Sequence, residues 1–346
     1  MLQIVPAGTK IDFIGKQRIT AAISCSVLGA AILAIPIQGV HYGIDFAGGT
    51  EMQVLFASDS AAKEGAIRAV TAACGIDDAS IVRYGETDAV EFLIRFRLSD
   101  EQAAALETAS ADCPLTDADR ERLAEATSAG GGGGNVGEKG ELVDRLAFAL
   151  RNGVGPLTVQ RVEYVGPRVG AELRRDGLYA MSIASLLILA YIAFRFSARF
   201  APGAIIALLH DIGVTAGLFV IFGMEFDLRV LAALLAILGY SLNDTIIIYD
   251  RIRENMEVRT KHDLHEVLNL SVNQTLARTI LTSGTTLVAV LSLLIFGGAV
   301  IQPFAIAMVI GVVVGTYSSI FIAAPTLLFL ETRFGDGDER SRKKKG

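Results

Sequence analysis

Two apolar stretches of the chain each carry an acid that an apolar stretch does not need. GYSLNDTIIIYDRIREN sets Asn243 and Asp244 in a run that resumes with isoleucine before any arginine, and LLHDIGVTAG sets His210 and Asp211 half-way along another. A third stretch, LARTILTSGTTL, begins near Arg278 and continues to Thr282, Thr285 and Thr286. Those offsets of four, seven and eight place the arginine and hydroxyls along one helix face. Asp211 and Thr215 repeat the offset of four. An acid at the centre of a membrane span costs about 2.5–3.5 kcal/mol on insertion scales, so it calls for a partner or an aqueous cavity. Whether such a carboxylate is charged depends on whether an arginine is near, which is the chemistry of an ion or proton path. Plainer readings stand beside this one. Arg278 could snorkel to the headgroups, Asp211 could staple helices, and Ser241, Thr245 and Ser283 read as close-packing residues.

These residues need spans to hold them. Hydrophobic residues make up 52% of the 346, there is no Trp, and mean hydropathy is +0.48. That composition points to several membrane crossings. Runs of roughly 20 apolar residues, the length that crosses the hydrocarbon layer, occur at about 19–38, 177–194, 202–223, 229–249, 276–297 and 303–330. The last is long, and Pro325 near its end predicts a kink or stop there. The first could be a cleaved signal peptide, but its run exceeds a usual h-region and IPIQGVHY is a poor cleavage site.

Lysine and arginine accumulate in short cytoplasmic loops. Here they precede the first span (Lys10, Lys16, Arg18), separate the second from the third (Arg195, Arg199), follow the fourth (Arg251 to Lys261) and end the chain (Arg340 to Lys345). The alternate connections, GMEFD and FGGAVIQ, have none. The reading is a cytoplasmic segment 1–18, a span 19–38, an external domain 39–176, a five-span bundle 177–330 and a basic cytoplasmic tail 331–346. Both termini lie inside, in the cell (inner) membrane. Asp244, roughly 14 residues below the outer start of its span, falls in the cytoplasmic third, at a depth similar to Arg278.

The external segment holds 23 Asp and Glu against 14 Lys and Arg, an acidity that argues against nucleic-acid binding. EMQVLF, SIVRYG, AVEFLIRFRL and PLTVQRVEYVG read as strands, and 60–74 and 141–151 as helices. Strand–helix–strand–strand–helix–strand is the split βαβ, or ferredoxin-like, order. A Gly-rich insertion at about 112–140 interrupts it, with Gly130 to Gly134 reading as a flexible linker. Cys74 and Cys113 are both external, and their spacing leaves open whether they pair. No Cys and His spacing predicts a metal site, no nucleotide loop or catalytic triad predicts an enzyme, and no cofactor is expected.

Together GIDFAGGT, LHDIGVTAG, GYSLNDTIIIYDRIREN and NQTLARTILTSGTTL followed by LLIFGG resemble the SecF family, the small membrane subunits of bacterial SecD–SecF export complexes in the resistance–nodulation–division (RND) superfamily. The resemblance implies an RND-type half of six helices with a small α+β periplasmic domain. It implies pairing with SecD, association with the SecY–SecE–SecG channel, with YajC and YidC as further partners, and proton-driven export of unfolded polypeptide. It carries proton passage onto Asp244 and Arg278, and the head-domain motif onto Gly43, Asp45, Gly48 and Gly49. The insertion departs from the family's small head. The competing expectation is a stand-alone proton-driven efflux transporter of small molecules or lipids, which would need a second half. A passive scaffold is the third.

Overall fold

A computed structural model describes residues 6, 9–57, 62–76, 79–84, 90–96, 138–195, 199–258 and 263–334. Most of the Gly-rich insertion, Cys113 and residues 335–346 of the basic tail lie outside the described residues. The chain divides into two compact units, Gly43–Arg174 and the remainder.

Alternation builds the smaller unit. In β1 (Gly49–Phe56) every second side chain, Met52, Val54 and Phe56, is buried, and in β3 (Val90–Phe96) so are Phe92, Ile94 and Phe96. Register places Met52 opposite Ile94 and Val54 opposite Phe92, so the two apolar rows share one face. With β2 (Ser80–Tyr84) and β4 (Leu157–Val165) they form an antiparallel sheet of order β2-β3-β1-β4. Two helices, α3 (Glu64–Ala73) and α4 (Glu138–Gly153), supply Ile67, Leu146 and Leu150 to the same core. Each fully buried aliphatic or aromatic side chain contributes about 1.5–3 kcal/mol. The opposite face pairs Glu51 with its register partner Arg95 at 2.6 Å. This is the ferredoxin-like order expected. Cys74 in its core is disulfide-bonded.

Among the described residues, six helices are long and apolar enough to cross a membrane. They are α1 (Gln17–Gln38, preceded by a short turn at Ile14–Lys16), α5 (Pro167–Arg195), α6 (Ala201–Ile221), α7 (Leu228–Val258), α8 (Leu264–Phe296) and α9 (Gly298–Ser318), the last continuing through a π-helical segment (Ser319–Ala323) into α10 (Ala324–Phe334). The four-residue α2 (Ile44–Ala47) opens the smaller unit.

Three features differ from the sequence reading. α5 starts ten residues before its apolar run, because Pro167 suits a first turn and Arg168 and Glu172 pair one turn apart. α8 starts twelve residues before its run on an amphipathic stretch, so Arg278 lies inside the helix and not at its entrance. The last helix does not stop at Pro325. Proline removes a hydrogen bond and crowds the carbonyl four residues back, and here the π segment immediately before it absorbs the mismatch.

The acids sit on the innermost helices. α6, α7 and the last span bury about half of their apolar windows, whereas α5 keeps most of its surface exposed. One apolar cluster joins Ile14, Phe200, Tyr249, Leu268 and Leu327, and another joins Phe219, Val230, Ile237, Met308 and Val312. Small residues let the backbones meet between them. A side chain at Gly217 would collide with Ala31 of α1, and one at Gly315 would press on Ser241 of α7.

Candidate functional site

Among the described residues of the larger unit, Asp211 and Asp244 are buried with their own sets of hydroxyls, whereas the buried Asp227 pairs with Arg229. Asp244 on α7 is 2% exposed. Its Oδ1 accepts a hydrogen bond from Thr282 Oγ1 at 3.4 Å and its Oδ2 one from Ser283 Oγ at 3.2 Å. Ser283 in turn accepts from Thr316 Oγ1 of α9 at 2.7 Å. Three helices therefore meet at one acid through hydroxyls alone. Among the described residues no basic side chain forms an ion pair with it.

Arg278 lies one turn earlier on α8, exposed, with its carbonyl accepting from Thr282 Oγ1 at 2.9 Å. The structure thus brings Asp244 level with Thr282, about 6 Å of helix rise beyond Arg278, and not into contact with the guanidinium. Thr285 and Thr286 donate to carbonyls of their own helix. Asn243 is exposed, on a different face of α7 from its neighbour Asp244.

Asp211 on α6 is fully buried and holds more partners. Its Oδ2 accepts from Ser241 of α7 and from Ser318 Oγ at 2.7 Å, and its Oδ1 lies 3.0 Å from His210 Nδ1. His210 Nε2 reaches Ser24 of α1 at 3.1 Å, Ser24 lies 3.2 Å from the Tyr317 hydroxyl, and that hydroxyl donates to the Thr20 carbonyl at 2.8 Å. Asp211 and its neighbour His210 thereby tie α1, α6, α7 and the end of α9. Thr215, one turn on, is buried with its hydroxyl unbonded, so it does not repeat the Asp244–Thr282 arrangement.

The two clusters touch common helices. Ser241 and Asp244 are one turn apart on α7, and Thr316 and Ser318 are neighbours at the end of α9. Ser241 and Ser283, expected as packing residues, are carboxylate ligands. Ser24, Thr316, Tyr317 and Ser318 carried no sequence signal, because a hydroxyl in an apolar run reads alike whether it packs or ligates.

The GIDFAGGT motif does a different job, inside the smaller unit. Gly43 caps α2, Asp45 lies in its first turn, and Gly48 and Gly49 turn the chain into β1. Gly48 has φ +74°, and a Cβ there would stand 2.8 Å from Pro167 Cα. Gly170 returns the contact, since its own Cβ would stand 3.0 Å from Gly48 N. Backbone meets backbone where the first strand begins and α5 starts, which only glycine permits. Among the described residues no cluster of His, Cys, Asp and Glu could hold a metal ion.

Comparison with known proteins agrees with this geometry. Residues 148–333 match the family model "Protein export membrane protein SecD/SecF, C-terminal", and residues 33–59 match "SecD/SecF GG Motif". Similar curated proteins include the protein translocase subunit SecF of Desulfurispirillum indicum, 39% identical across 94% of this chain and 93% of that one. That of Pseudomonas aeruginosa is 38% identical across 92% and 91%. Among solved structures, the crystal structure of SecDF, a translocon-associated membrane protein from Thermus thermophilus, superposes with a TM-score of 0.73 at 32% identity. The match covers 95% of this chain and 40% of that one. The chain thus spans about two fifths of the SecDF structure and almost all of the curated relatives.

Proposed function

The chain belongs to the SecD/SecF family of protein export membrane proteins, and on that premise we propose that proton movement at Asp244 drives its contribution to preprotein export. Membership makes it a multi-pass membrane protein with an accessory role in Sec-dependent translocation. The finer reading rests on one observation: Asp244 is buried among hydroxyls and, among the described residues, makes no ion pair, with Arg278 acting on it only from a distance. An ionised carboxylate there has no countercharge in contact, so a change of its charge favours a rearrangement around it.

Hydrogen-bond inventory supports a particular rearrangement. An ionised carboxylate only accepts, and both Thr282 and Ser283 can donate to it. A protonated one must donate once, and either Thr282, whose own proton can rest on the Arg278 carbonyl, or Ser283 becomes the acceptor. If Ser283 is the acceptor, its freed proton can turn to Thr316 while Thr316 donates to the Val312 carbonyl, and the tie to α9 reverses. In the ionised state Arg278 is the available countercharge, one helical turn away. Exchanging Thr282 for Arg278 opposite Asp244 is a one-turn displacement of α8, a known form of two-state switching. His210 and Asp211 hold α1, α6 and α7 together while this happens.

In this reading the termini are cytoplasmic and the ferredoxin-like unit is periplasmic, as the Lys and Arg distribution favours. A SecD-type protein supplies the second half of the bundle, which fits a chain spanning 40% of the SecDF structure. The SecY–SecE–SecG channel, with YajC and YidC, completes the assembly, and unfolded polypeptide is the substrate. The role is mechanical and not enzymatic. The test is secretion of a reporter preprotein with and without an uncoupler. Arg278→Met should lose the uncoupler-sensitive part of export while still co-purifying with the SecD-type partner. Undiminished uncoupler-sensitive export by that variant would overturn the proposal, and export with no such partner would favour a stand-alone transporter.

A further inference from the structure

The motif NQTLARTILTSGTTL begins with residues that take no part in the Asp244 cluster, and the structure gives them other partners. Asn273 treats Ile11 as one strand treats another. Its Oδ1 accepts the Ile11 N–H at 2.9 Å and its Nδ2 donates to the Ile11 carbonyl at 2.8 Å. One turn earlier, Asn269 Oδ1 accepts the N–H groups of Phe13 and Ile14 at 2.9 and 3.1 Å. Asn269 Nδ2 donates to Asp12 Oδ1 at 2.7 Å, and the same oxygen accepts the Gly15 N–H at 2.9 Å. Four backbone groups of residues 11–14 are thus met by two side-chain amides. Beneath them Ile14 is fully buried, and the Phe13 ring stands edge-on to Phe321 of the π segment at 5.8 Å.

The next face of α8 is fastened as well. Gln274 Oε1 accepts from Arg251 at 2.6 Å and from Asn255 at 2.9 Å, and Asn255 also donates to Ser271 at 2.8 Å, all on the extension of α7. α8 is continuous from Leu264 to Phe296, so residues 269–274 and 278–283 move as one body. Asn273 and Ser283 are separated by about 15 Å of helix rise.

We propose that Asn269 and Asn273 are positioning residues: by gripping the strap Ile11–Gly15 they set the height and rotation of α8, and so hold Thr282 and Ser283 against Asp244. The claim rests on the proton-coupling reading for its consequence, and on geometry alone for its mechanism. The strap is a constant tether and not a pH-operated one. Asn269 first, then the Gly15 N–H, with His265 and Lys16 adding charge, hold the Asp12 carboxyl below the usual carboxylate range. A carboxyl with a lowered folded value contributes above its unfolded value and is lost only as pH falls through the lowered one. That window lies well on the acid side of neutrality.

The experiment uses the full chain with its SecD-type partner, in a background with Cys25→Ser. Spin labels at Val288 on α8 and Val313 on α9, both exposed, report the helix separation. Asn273→Ala should broaden or shift that distance and lower uncoupler-sensitive export about tenfold, in line with the steep cost of a small misplacement. Asn269→Asp should do the same by facing Asp12 with a like charge, and Asp12→Asn in the same chain should restore both readouts by reversing the hydrogen bond. Unchanged distances in Asn273→Ala, or no rescue of Asn269→Asp, would overturn the proposal. Shifted and rescued distances in a protein whose export ignores the uncoupler would uphold the strap and sink the proton-coupling reading instead.

Discussion

Asp211 and Asp244 look alike in the sequence, but their surroundings assign them different work. Asp211 has three side-chain donors drawn from two other segments besides its own neighbour His210, a set that satisfies a carboxylate without further partners. Asp244 has two longer hydrogen bonds and, among the described residues, no ion pair, so it is the less committed of the pair. Removing the first should therefore cost stability, and changing the second should cost function. Asp211→Leu leaves Ser241, Ser318 and His210 without their shared acceptor. The expected loss is about 3 kcal/mol, read as a lower Tm in detergent. Asn243→Leu, at an exposed position, is the control and should stay within about 0.5 kcal/mol. Equal Tm values for the two variants would show that the Asp211 network contributes nothing.

Helices in this protein are placed by what small residues allow and by what hydroxyls tie. Gly213 and Gly217 of α6 lie against Leu28 and Ala31 of α1, and the tie between Ser24 and His210 crosses the same interface. Gly217→Leu should force α1 outward and break that tie. Overpacking of this kind costs about 1–3 kcal/mol, which is roughly 5 °C in Tm; an unchanged Tm would mean that α1 is held elsewhere. These elements were legible to different degrees. The spans showed themselves through apolar runs, and the sheet through alternation in EMQVLF and its partners, because burial on one side imposes period. The extensions at 167–176 and 264–275 did not, since amphipathic helix beyond the hydrocarbon has no apolar run to announce it. The acids were visible as anomalies of cost. Their ligands were not, because serine and threonine are cheap in an apolar helix and only a fold can say which of them faces a carboxylate. Arg278 was expected at a depth similar to Asp244; Thr282, one turn on, meets the carboxylate directly, and Arg278 acts on it electrostatically without an ion pair.

At the scale of the whole molecule, two compact units are joined through the continuous helix α5 and the segment after α1. Within the smaller unit, the glycines of GIDFAGGT let the first strand begin against the first turn of α5, where Gly48 meets Pro167. On the proposed reading, a cluster whose hydroxyls turn on protonation, a helix that shifts by a turn and a strap that fixes its resting height would together convert proton movement into displacement. The match covers 40% of the SecDF structure. Every step of that conversion passes through one carboxyl group. The most direct measurement is secretion of a reporter preprotein by Asp244→Asn, assembled with its SecD-type partner, with and without an uncoupler. Asparagine keeps the size and presents one acceptor and one donor group, as a protonated carboxyl does, but cannot exchange a proton, so export should fall to the level of the uncoupled protein in both conditions while the complex still assembles. Export at the unsubstituted rate, still sensitive to the uncoupler, would contradict the account.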